Sequence, residues 1–242
     1  MNEPNTSSRL VHRYVLAQTP LGRWCLNLHI QQRRLFWRWL VAGADTGKRA
    51  FDLVASSIFL LVSGPLLGLL ALLVKLEDGG PVIFAQTRVG RFGREFKMYK
   101  FRSMCPDAEA RLQALLGQNH HAEGVTFKLK DDPRLTRIGK WLRKYSFDEL
   151  PQFFNVLKGD MSLVGPRPPV PREVELYSLA DRRRLAVKPG ITCLWQISRR
   201  SEIDFSGQVR LDVRYIETQN FRVDVQILVR TVPAVLSGKG AC

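Results

Sequence analysis

One uncharged run dominates the hydrophobic pattern of the chain, LVASSIFLLVSGPLLGLLALLV at residues 53–74. As a straight helix this run would be about 33 Å long, because each residue adds about 1.5 Å. The hydrocarbon core of a bilayer is about 30 Å thick, so the two lengths match. The run begins too far along the chain for a secretory signal, and a core helix that is apolar on every face would be unusual in so small a protein. The pattern therefore predicts a membrane element.

Ser63, Gly64 and Pro65 interrupt this run near its middle. Proline removes a backbone donor and clashes with the carbonyl four residues earlier, so we expect the helix to break there. Each half would be about 16 Å long, which is roughly one leaflet. The basic residues at the two flanks, which favour the cytoplasmic face, are Lys48, Arg49, Lys75, Arg88, Arg91 and Arg94. A segment that enters the cytoplasmic leaflet and returns satisfies both flanks, and an ordinary kinked span is the alternative.

The rest of the pattern indicates short strands and helices. Residues 81–104 have the pattern of two strands joined by a glycine-containing turn. Asp107 is the expected N-cap of a helix over 106–118. Apolar residues at helical spacing predict another helix over 148–159, which ends at Gly159. We also predict a basic helix over 131–146, a short strand within 187–205, a helix over 206–218 and a final apolar stretch.

These elements divide the chain into three parts. Residues 1–44 form a basic extension, and its segment QQRRLFWRWLV has the amphipathic character of a helix lying on a membrane surface. A poorly ordered terminus is an equally good interpretation of this extension. Residues 45–78 contain the membrane element, and residues 79–242 form a soluble domain. We expect an α/β fold dominated by helices, lying against the membrane beside a broken, re-entrant helix and surface amphipathic helices.

Charge and cysteine usage narrow the classes of function. The 242 residues include 37 Lys and Arg against 22 Asp and Glu, a formal net charge of +15. This balance implies an anionic partner, which is a nucleic acid, an anionic membrane face or a phosphorylated substrate. Neither the adjacent His120 and His121 nor the scattered cysteines have the spacing of a metal site or a disulfide framework, so we expect a reducing compartment. The cysteines are Cys25, Cys105, Cys193 and Cys242.

The segment KYSFDELPQFFNVLKGDMSLVGPRP, residues 144–168, sets two carboxylates side by side among basic residues. Ser146 and Glu149 fit a capping box, in which the serine hydroxyl accepts from the amide of the glutamate, so capping alone is one explanation. The other is catalysis, because a carboxylate can accept a phosphoryl group while a second one holds Mg²⁺ with substrate phosphates. The two roles of Asp148 and Glu149 are compatible, since a cap fixes the position of the pair.

Five blocks of the sequence resemble, in order, those of the bacterial sugar transferase family. This family contains the monotopic polyprenyl-phosphate phosphoglycosyl transferases that start exopolysaccharide or O-antigen synthesis. The blocks are KRAFD, GPVIFAQTRVG, FKMYKFRSM, LTRIGKWLRKYSFDELPQFFNVLKGDMSLVGPRP and VKPGITCLWQISRRSEIDF. The resemblance runs from Lys48 to Cys242, and several long blocks in order are far more specific than one short motif.

The resemblance implies a reaction. Family members transfer a sugar phosphate from a nucleotide diphosphate sugar, usually a UDP-sugar, to undecaprenyl phosphate at the cytoplasmic face of the bacterial inner membrane, and release UMP. If the family's roles apply at the matching positions, Asp148 is the nucleophile that forms a covalent phosphosugar intermediate. Glu149 is then its partner in binding the metal and the phosphates, and Mg²⁺ is required. We assign substrate and phosphate binding to Arg88, Lys100, Arg102, Arg143, Arg167, Pro168 and Gln196. Anionic membrane lipids are expected partners, and nucleic acid is not.

The sequence departs from the family pattern at two positions, and neither departure changes the expected chemistry. The Ser-Pro pair at the helix break is split here by Gly64, and many relatives have glycine where this chain has Cys193.

Two other classes of function stay open, a membrane-tethered nucleic-acid binder and a catalytically silent scaffold. Aromatic residues among basic ones would suit the nucleic-acid binder. The nucleic-acid binder does not explain the adjacent carboxylates. A hexose 1-phosphate is the favoured cargo, while the identity of the sugar and the formation of a homo-oligomer are open.

Overall fold

The longest element of the structure is helix α1 (Pro20–Asp78), which contains the predicted membrane run. The computed structural model describes residues 14–15, 17–108, 110, 132–198 and 203–237. The chain divides into two compact units, Met1–Ala50 and Phe51–Cys242. In the first unit the Thr19 hydroxyl accepts from the backbone N–H of Gly22 at 3.0 Å, a contact typical of a helix start.

Short strands and helices follow α1 in the second unit. The strands are β1 (Ile83–Val89), β2 (Glu95–Phe101), β3 (Ser162–Val164) and β4 (Gly190–Thr192). The helices are α2 (Arg137–Lys144), α3 (Gln152–Lys158), α4 (Pro171–Glu175), α5 (Leu194–Ser198), α6 (Phe205–Thr218) and α7 (Phe221–Leu236). Short 3-10 helices lie at Arg91–Gly93, Phe147–Glu149 and Asp181–Ala186. Helices dominate the described residues and the sheets are small, which confirms that part of the predicted fold class.

Within the second unit, α1 is apolar on two opposite faces. On one face Leu70 and Val74 are buried against Phe101 and Leu142. The opposite face is exposed and carries Leu53, Val54, Ile58, Leu61, Val62, Leu69, Leu72 and Leu76. Among the described residues, Asp45–Asp78 is a helical segment long and apolar enough to cross a membrane. A helix that is apolar on both its packed and its exposed face is suited to contact with lipid.

The predicted break at Ser63, Gly64 and Pro65 does not interrupt the helix, because Pro65 lies inside α1. A proline at this position leaves the carbonyl of Leu61 without its usual helical partner. The Ser63 hydroxyl donates to a different carbonyl, that of Phe59, at 2.6 Å. This is the contact that a serine commonly makes one turn back within a helix, and it often accompanies a bend.

The apolar part of α1 is attached to the same domain near both of its ends. The buried carboxylate of Asp52 accepts from the backbone N–H of Leu163 in β3 at 3.1 Å. Near the other end, the carboxylate of Glu77 accepts from the backbone N–H of Ile138, in the first turn of α2, at 3.1 Å. This part of α1 therefore lies along the domain rather than projecting from it.

The four strands form two separate two-stranded sheets, one antiparallel and one parallel. β1 and β2 form the predicted antiparallel hairpin, whose turn has left-handed backbone at Phe92 (φ 58°) and Gly93 (φ 81°). β3 and β4 pair in parallel. A Cβ atom added to Gly190 would lie 2.1 Å from the backbone nitrogen of Gly165, so the two backbones approach more closely than a side chain permits.

Two hydrophobic clusters hold the elements that carry the candidate site. The first joins β2, α3, β3, α6 and α7 through Met98, Val156, Met161, Leu163, Val164, Tyr215 and Ile227. The second surrounds Leu142 and includes Phe147 and Leu150, which lie on either side of the carboxylate pair. The packing therefore fixes β2 and the Phe147–Glu149 turn relative to each other.

Most predicted elements are confirmed with shifts at their ends. Helix α2 is shorter than the predicted 131–146, and α3 begins at Gln152 rather than at 148. It ends as predicted at Gly159, which has a left-handed φ of 92°. α6 and β4 lie where a helix and a short strand were expected, and the final apolar stretch forms α7. The helix predicted over 106–118 falls largely outside the described residues.

Candidate active site

The carboxylate pair lies in a tight turn between α2 and α3. The capping-box prediction is wrong, because the Ser146 side chain makes no cap hydrogen bond; its backbone carbonyl accepts from the N–H of Glu149 at 3.1 Å. The physical reason is the backbone, since Ser146 has a φ of 56°, in the left-handed region, whereas an N-cap is extended. A 3-10 turn follows and directs Asp148 into the domain, where only 5% of its surface is exposed.

Lys100 of β2 contacts both carboxylates. Its Nζ lies 2.7 Å from Oε1 of Glu149 and 3.8 Å from Oδ2 of Asp148. The lysine is itself shielded, with 16% of its side chain exposed. An ammonium group near two carboxylates in a partly buried site offsets their mutual repulsion. The lysine thus allows two acids to remain close together in the interior.

Burial and neighbouring charges affect the two acids differently. Burial raises the pKa of Asp148, and this is opposed by Lys100 but reinforced by the charge of Glu149. Burial acts on Glu149 in the same direction, but Lys100 and Arg167 outweigh it and lower the pKa of Glu149 below its ordinary value. Glu149 is therefore the better stabilised anion, whereas Asp148 is the more basic carboxylate, as suits a nucleophile.

Arg88 connects the hairpin to the Pro-Arg-Pro segment. Its Nε and Nη2 donate to Oε1 of Gln86 at 3.1 and 2.7 Å, and its Nη1 donates to the carbonyl of Pro168 at 2.9 Å. Burial, together with repulsion from Arg167, lowers the pKa of Arg88 to about 10, so this group is charged at neutral pH. Arg88 therefore fixes the backbone beside Arg167, whose own side chain is exposed.

Arg143 and Arg102 are held by different partners. Nε of Arg143 donates to Oγ of Ser103 at 3.1 Å. Arg102 is buried and pairs with Asp78 at the end of α1, while its Nη1 has no hydrogen-bond partner. Arg102 thus neutralises the carboxylate of Asp78 on α1, and it also lines the cleft that contains the carboxylate pair.

An open cleft of about 1480 Å³ in the second unit brings most of the predicted residues together. Those that line it are Ser63, Arg88, Lys100, Arg102, Arg143, Asp148, Glu149, Arg167 and Gln196. Pro168 lies in a smaller adjoining pocket, which also contains Lys100, Glu149 and Gln196. Gly64 and Pro65 line neither space. The cationic and anionic groups of the prediction therefore share one site.

Sequence reasoning missed three residues that position this site or the helix beside it, namely Gln86, Ser103 and Asp52. Gln86 is two residues before Arg88, and alternate residues of a strand share a face, so this spacing was a usable signal. The contacts of Ser103 and Asp52 join segments that are far apart in the sequence. No local pattern indicates such contacts.

The carboxylate pair offers a fitting donor set for Mg²⁺. This ion prefers one or two carboxylates together with substrate phosphates and water. Asp148 and Glu149 supply hard oxygen ligands beside cations that suit phosphate groups. Within the described part of the chain there is no group of three or more His, Cys, Asp or Glu residues that could hold a metal. A magnesium ion here would complete its coordination with substrate oxygens.

Comparison with known families agrees with the sequence blocks. The model of the family described as bacterial sugar transferase matches residues 43–238, which is most of the chain. The chain belongs to this family.

Three relatives show the extent of the similarity. Galactosyl transferase CpsE of Streptococcus agalactiae is 53% identical over 195 residues, which cover 80% of this chain and 43% of that protein. The undecaprenyl-phosphate galactose phosphotransferase of Salmonella typhimurium is 46% identical over 197 residues, with shares of 80% and 41%. The exopolysaccharide production protein ExoY of Rhizobium meliloti is 42% identical over 197 residues, with shares of 80% and 87%. The chain thus spans less than half the length of the first two and most of the third.

Proposed function

We propose that this chain transfers a sugar 1-phosphate, specifically a hexose 1-phosphate, from a UDP-sugar to undecaprenyl phosphate and releases UMP. This would be the first membrane step of exopolysaccharide or O-antigen synthesis. The observation that carries the proposal is the buried carboxylate of Asp148 beside Lys100, in a cationic cleft walled by the apolar helix α1. The names of the relatives support the acceptor, the hexose and the exopolysaccharide product.

Two displacements at phosphorus account for the reaction. In the first, a carboxylate oxygen of Asp148 attacks the phosphorus that carries the sugar, and the bond to the bridging oxygen breaks, so that UMP leaves with that oxygen and its electron pair. In the second, a phosphate oxygen of undecaprenyl phosphate attacks the same phosphorus, the bond to Asp148 breaks, and the free carboxylate is restored. Such an exchange gives ping-pong kinetics.

The other residues bind and orient the reactants. Glu149 and Asp148 would hold Mg²⁺, which when bound neutralises the charge that phosphoryl transfer concentrates on the phosphate oxygens. Arg167 and Arg143 offer guanidinium groups, which bind phosphate oxygens in a bidentate manner. Arg88 contributes its charge and holds the Pro-Arg-Pro backbone through Pro168. Gln196, in the same adjoining pocket as Lys100, is assigned to the substrate.

We also infer a position in the cell, namely the cytoplasmic face of the bacterial inner membrane. In this proposal the apolar part of α1, residues 53–74, is re-entrant: it enters the cytoplasmic leaflet and both of its ends stay on the cytoplasmic face, with Pro65 inside the helix as the point where it would bend. The support is that Asp52 and Glu77, near the two ends of this part, both contact the same domain. A helix that crossed the bilayer would place Asp52 and Glu77 on opposite faces of the membrane, where a single domain on one face would not contact both. The net charge of +15 is complementary to anionic lipids.

Trapping of the intermediate tests the reaction. Purified protein incubated with UDP-galactose or UDP-glucose, without acceptor, should release UMP and gain the mass of one hexose phosphate on the peptide that contains Asp148. The Asp148→Asn variant should show neither result. UMP release at a near wild-type rate by this variant would refute the nucleophile assignment. RNA binding at graded salt, measured on the same preparation, tests the nucleic-acid class.

Cysteine labelling in intact cells tests the topology. Single cysteines replace Asn2 or Gly238 in a chain whose four native cysteines are changed to serine, and an impermeant thiol reagent is added outside. We expect both positions to be protected and to react only after the cells are permeabilised. Labelling of one position alone in intact cells would mean that the segment spans the membrane, and the re-entrant proposal would fail.

A further inference from the structure

Away from its charged residues, the cleft is walled by apolar side chains of two helices. Ala55, Phe59 and Leu66 form the wall on α1, and their spacing of four and seven residues places them on one helix face. Leu228, Val232 and Leu236 of α7 line the same cleft, again at helical spacing. We call the space between these six residues the apolar lane.

The lane is exposed although its walls are apolar. Val232 and Leu236 expose 59% and 67% of their surface, and Leu66 exposes 39%. The Phe59 ring stacks on the ring of Phe153, another lining residue of the cleft, with 3.9 Å between centroids, so the stacking holds the Phe59 ring in place. Exposed apolar surface that adjoins a polar site marks a place where an apolar group binds.

The lane and the charged residues belong to the same cleft, so one molecule can contact both. Arg143 and Arg167 offer guanidinium groups to an anionic group, whereas the lane offers apolar surface to an apolar chain. A nucleotide diphosphate sugar carries the anionic group but has no apolar chain. A polyprenyl phosphate carries both, with the phosphate at the end of the chain.

We propose that the apolar lane binds the isoprenoid chain of the acceptor, directly behind its phosphate group. This inference rests on the proposed function and adds the route of the acceptor, which enters sideways from the bilayer between α1 and α7. The cleft volume of about 1480 Å³ exceeds the roughly 300–1,000 Å³ of ordinary small-molecule sites, so an acceptor chain fits beside the phosphosugar. The lane then acts in the second displacement and not in the first.

Val232 and Val229 allow a matched test. Both are exposed residues of α7, at 59% and 66%, but of the two only Val232 lines the cleft. In nanodiscs, Val232→Trp should fill the lane and raise the KM for undecaprenyl phosphate about tenfold or more. The release of UMP on mixing with donor alone should be unchanged. Val229→Trp should change neither quantity.

An acceptor without an isoprenoid chain separates the lane from the phosphate site. Butyl phosphate at high concentration should accept the sugar phosphate equally well in Val232→Trp and Val229→Trp. A loss confined to Val232→Trp with this acceptor would mean that the substitution damages the phosphate site, and it would overturn the proposal.

Other outcomes also decide the matter. An unchanged KM for undecaprenyl phosphate in Val232→Trp, or an equal rise in Val229→Trp, would overturn the proposal. If Val232→Trp left the KM unchanged but weakened the association of the protein with vesicles, the lane would bind a bilayer phospholipid rather than the acceptor, and the proposal would again be overturned. If Val232→Trp fails to fold, the isosteric pair Val232→Thr and Val229→Thr replaces it, and equal KM values in that pair would refute the lane. Wild-type protein that releases no UMP from any donor refutes the proposed function instead.

Discussion

The charged part of the cleft and its apolar lane depend on different kinds of contact. In the charged part, side chains meet defined polar partners, as Lys100 meets Glu149 and Arg88 meets Gln86. In the lane, Val232 and its neighbours contribute shape and apolar area and are partly exposed. Hydrogen bonds and ion pairs depend steeply on distance and direction, whereas apolar contact scales with area. Substitutions at the carboxylate pair should therefore be severe, whereas substitutions in the lane should be moderate.

The largest effect is expected at the carboxylate pair. Asp148→Asn should lower turnover about 10⁴-fold or more, because the nucleophile is lost. Glu149→Gln should lower it about 10²- to 10³-fold, because an electrostatic contact at the reacting phosphate is lost. UMP release measures both effects. The amides are isosteric with the acids, so unfolding temperatures close to that of the wild type serve as the control. Turnover within tenfold of the wild type in Asp148→Asn would contradict the assignment of Asp148 as the nucleophile.

The next effect concerns the backbone beneath the charged part. Gly190→Ala places a Cβ atom against the backbone of Gly165, just before the Pro-Arg-Pro segment, and should cost about 1–3 kcal/mol of the free energy of unfolding. Thermal or denaturant unfolding in detergent measures the loss. Gly68→Ala is the control, since a Cβ there meets nothing within 4 Å and alanine favours a helix. Equal stability of the two variants would show that the strand contact can relax.

A smaller effect is expected where α1 meets the domain. Asp52→Ala leaves the N–H of Leu163 without its acceptor and should cost about 1–3 kcal/mol of the free energy of unfolding. Asp52→Asn keeps an acceptor oxygen and should lose much less. The same unfolding measurement compares the two variants. If both were equally destabilised, the charge of Asp52 rather than its hydrogen bond would be responsible.

The smallest effect should come from a residue that acts through another. Gln86→Ala removes the acceptor that orients two N–H groups of Arg88, which is a loss of about 1 kcal/mol. We expect the KM for the donor to rise several-fold with little change in kcat. Gln86→Glu keeps an acceptor and should restore the wild-type value. A fall in kcat without a change in KM would instead assign Arg88 to the transition state.

The membrane run, the hairpin, the later helices and the carboxylate pair followed from the sequence by itself. The run and the helices depend on composition and on residues three or four positions apart, and the hairpin depends on a turn between two adjacent strands. The pair and the family blocks are contiguous motifs. Two local patterns misled. The Ser63-Gly64-Pro65 segment predicted a break, but it lies inside α1. Ser146-Phe147-Asp148-Glu149 suits either a capping box or a 3-10 turn, and the packing of Phe147 and Leu150 around Leu142 accompanies the second.

Only the tertiary structure decided which distant groups meet. Lys100 contacts Glu149 from 49 residues away, and Asp52 contacts Leu163 from 111 residues away. The pairing of Arg102 with Asp78 and the meeting of α1 and α7 residues in one cleft likewise depend on how α1 packs on the domain. Local patterns reflect the conformations of a few neighbouring residues, whereas these contacts form only when buried surfaces from the whole unit fit together.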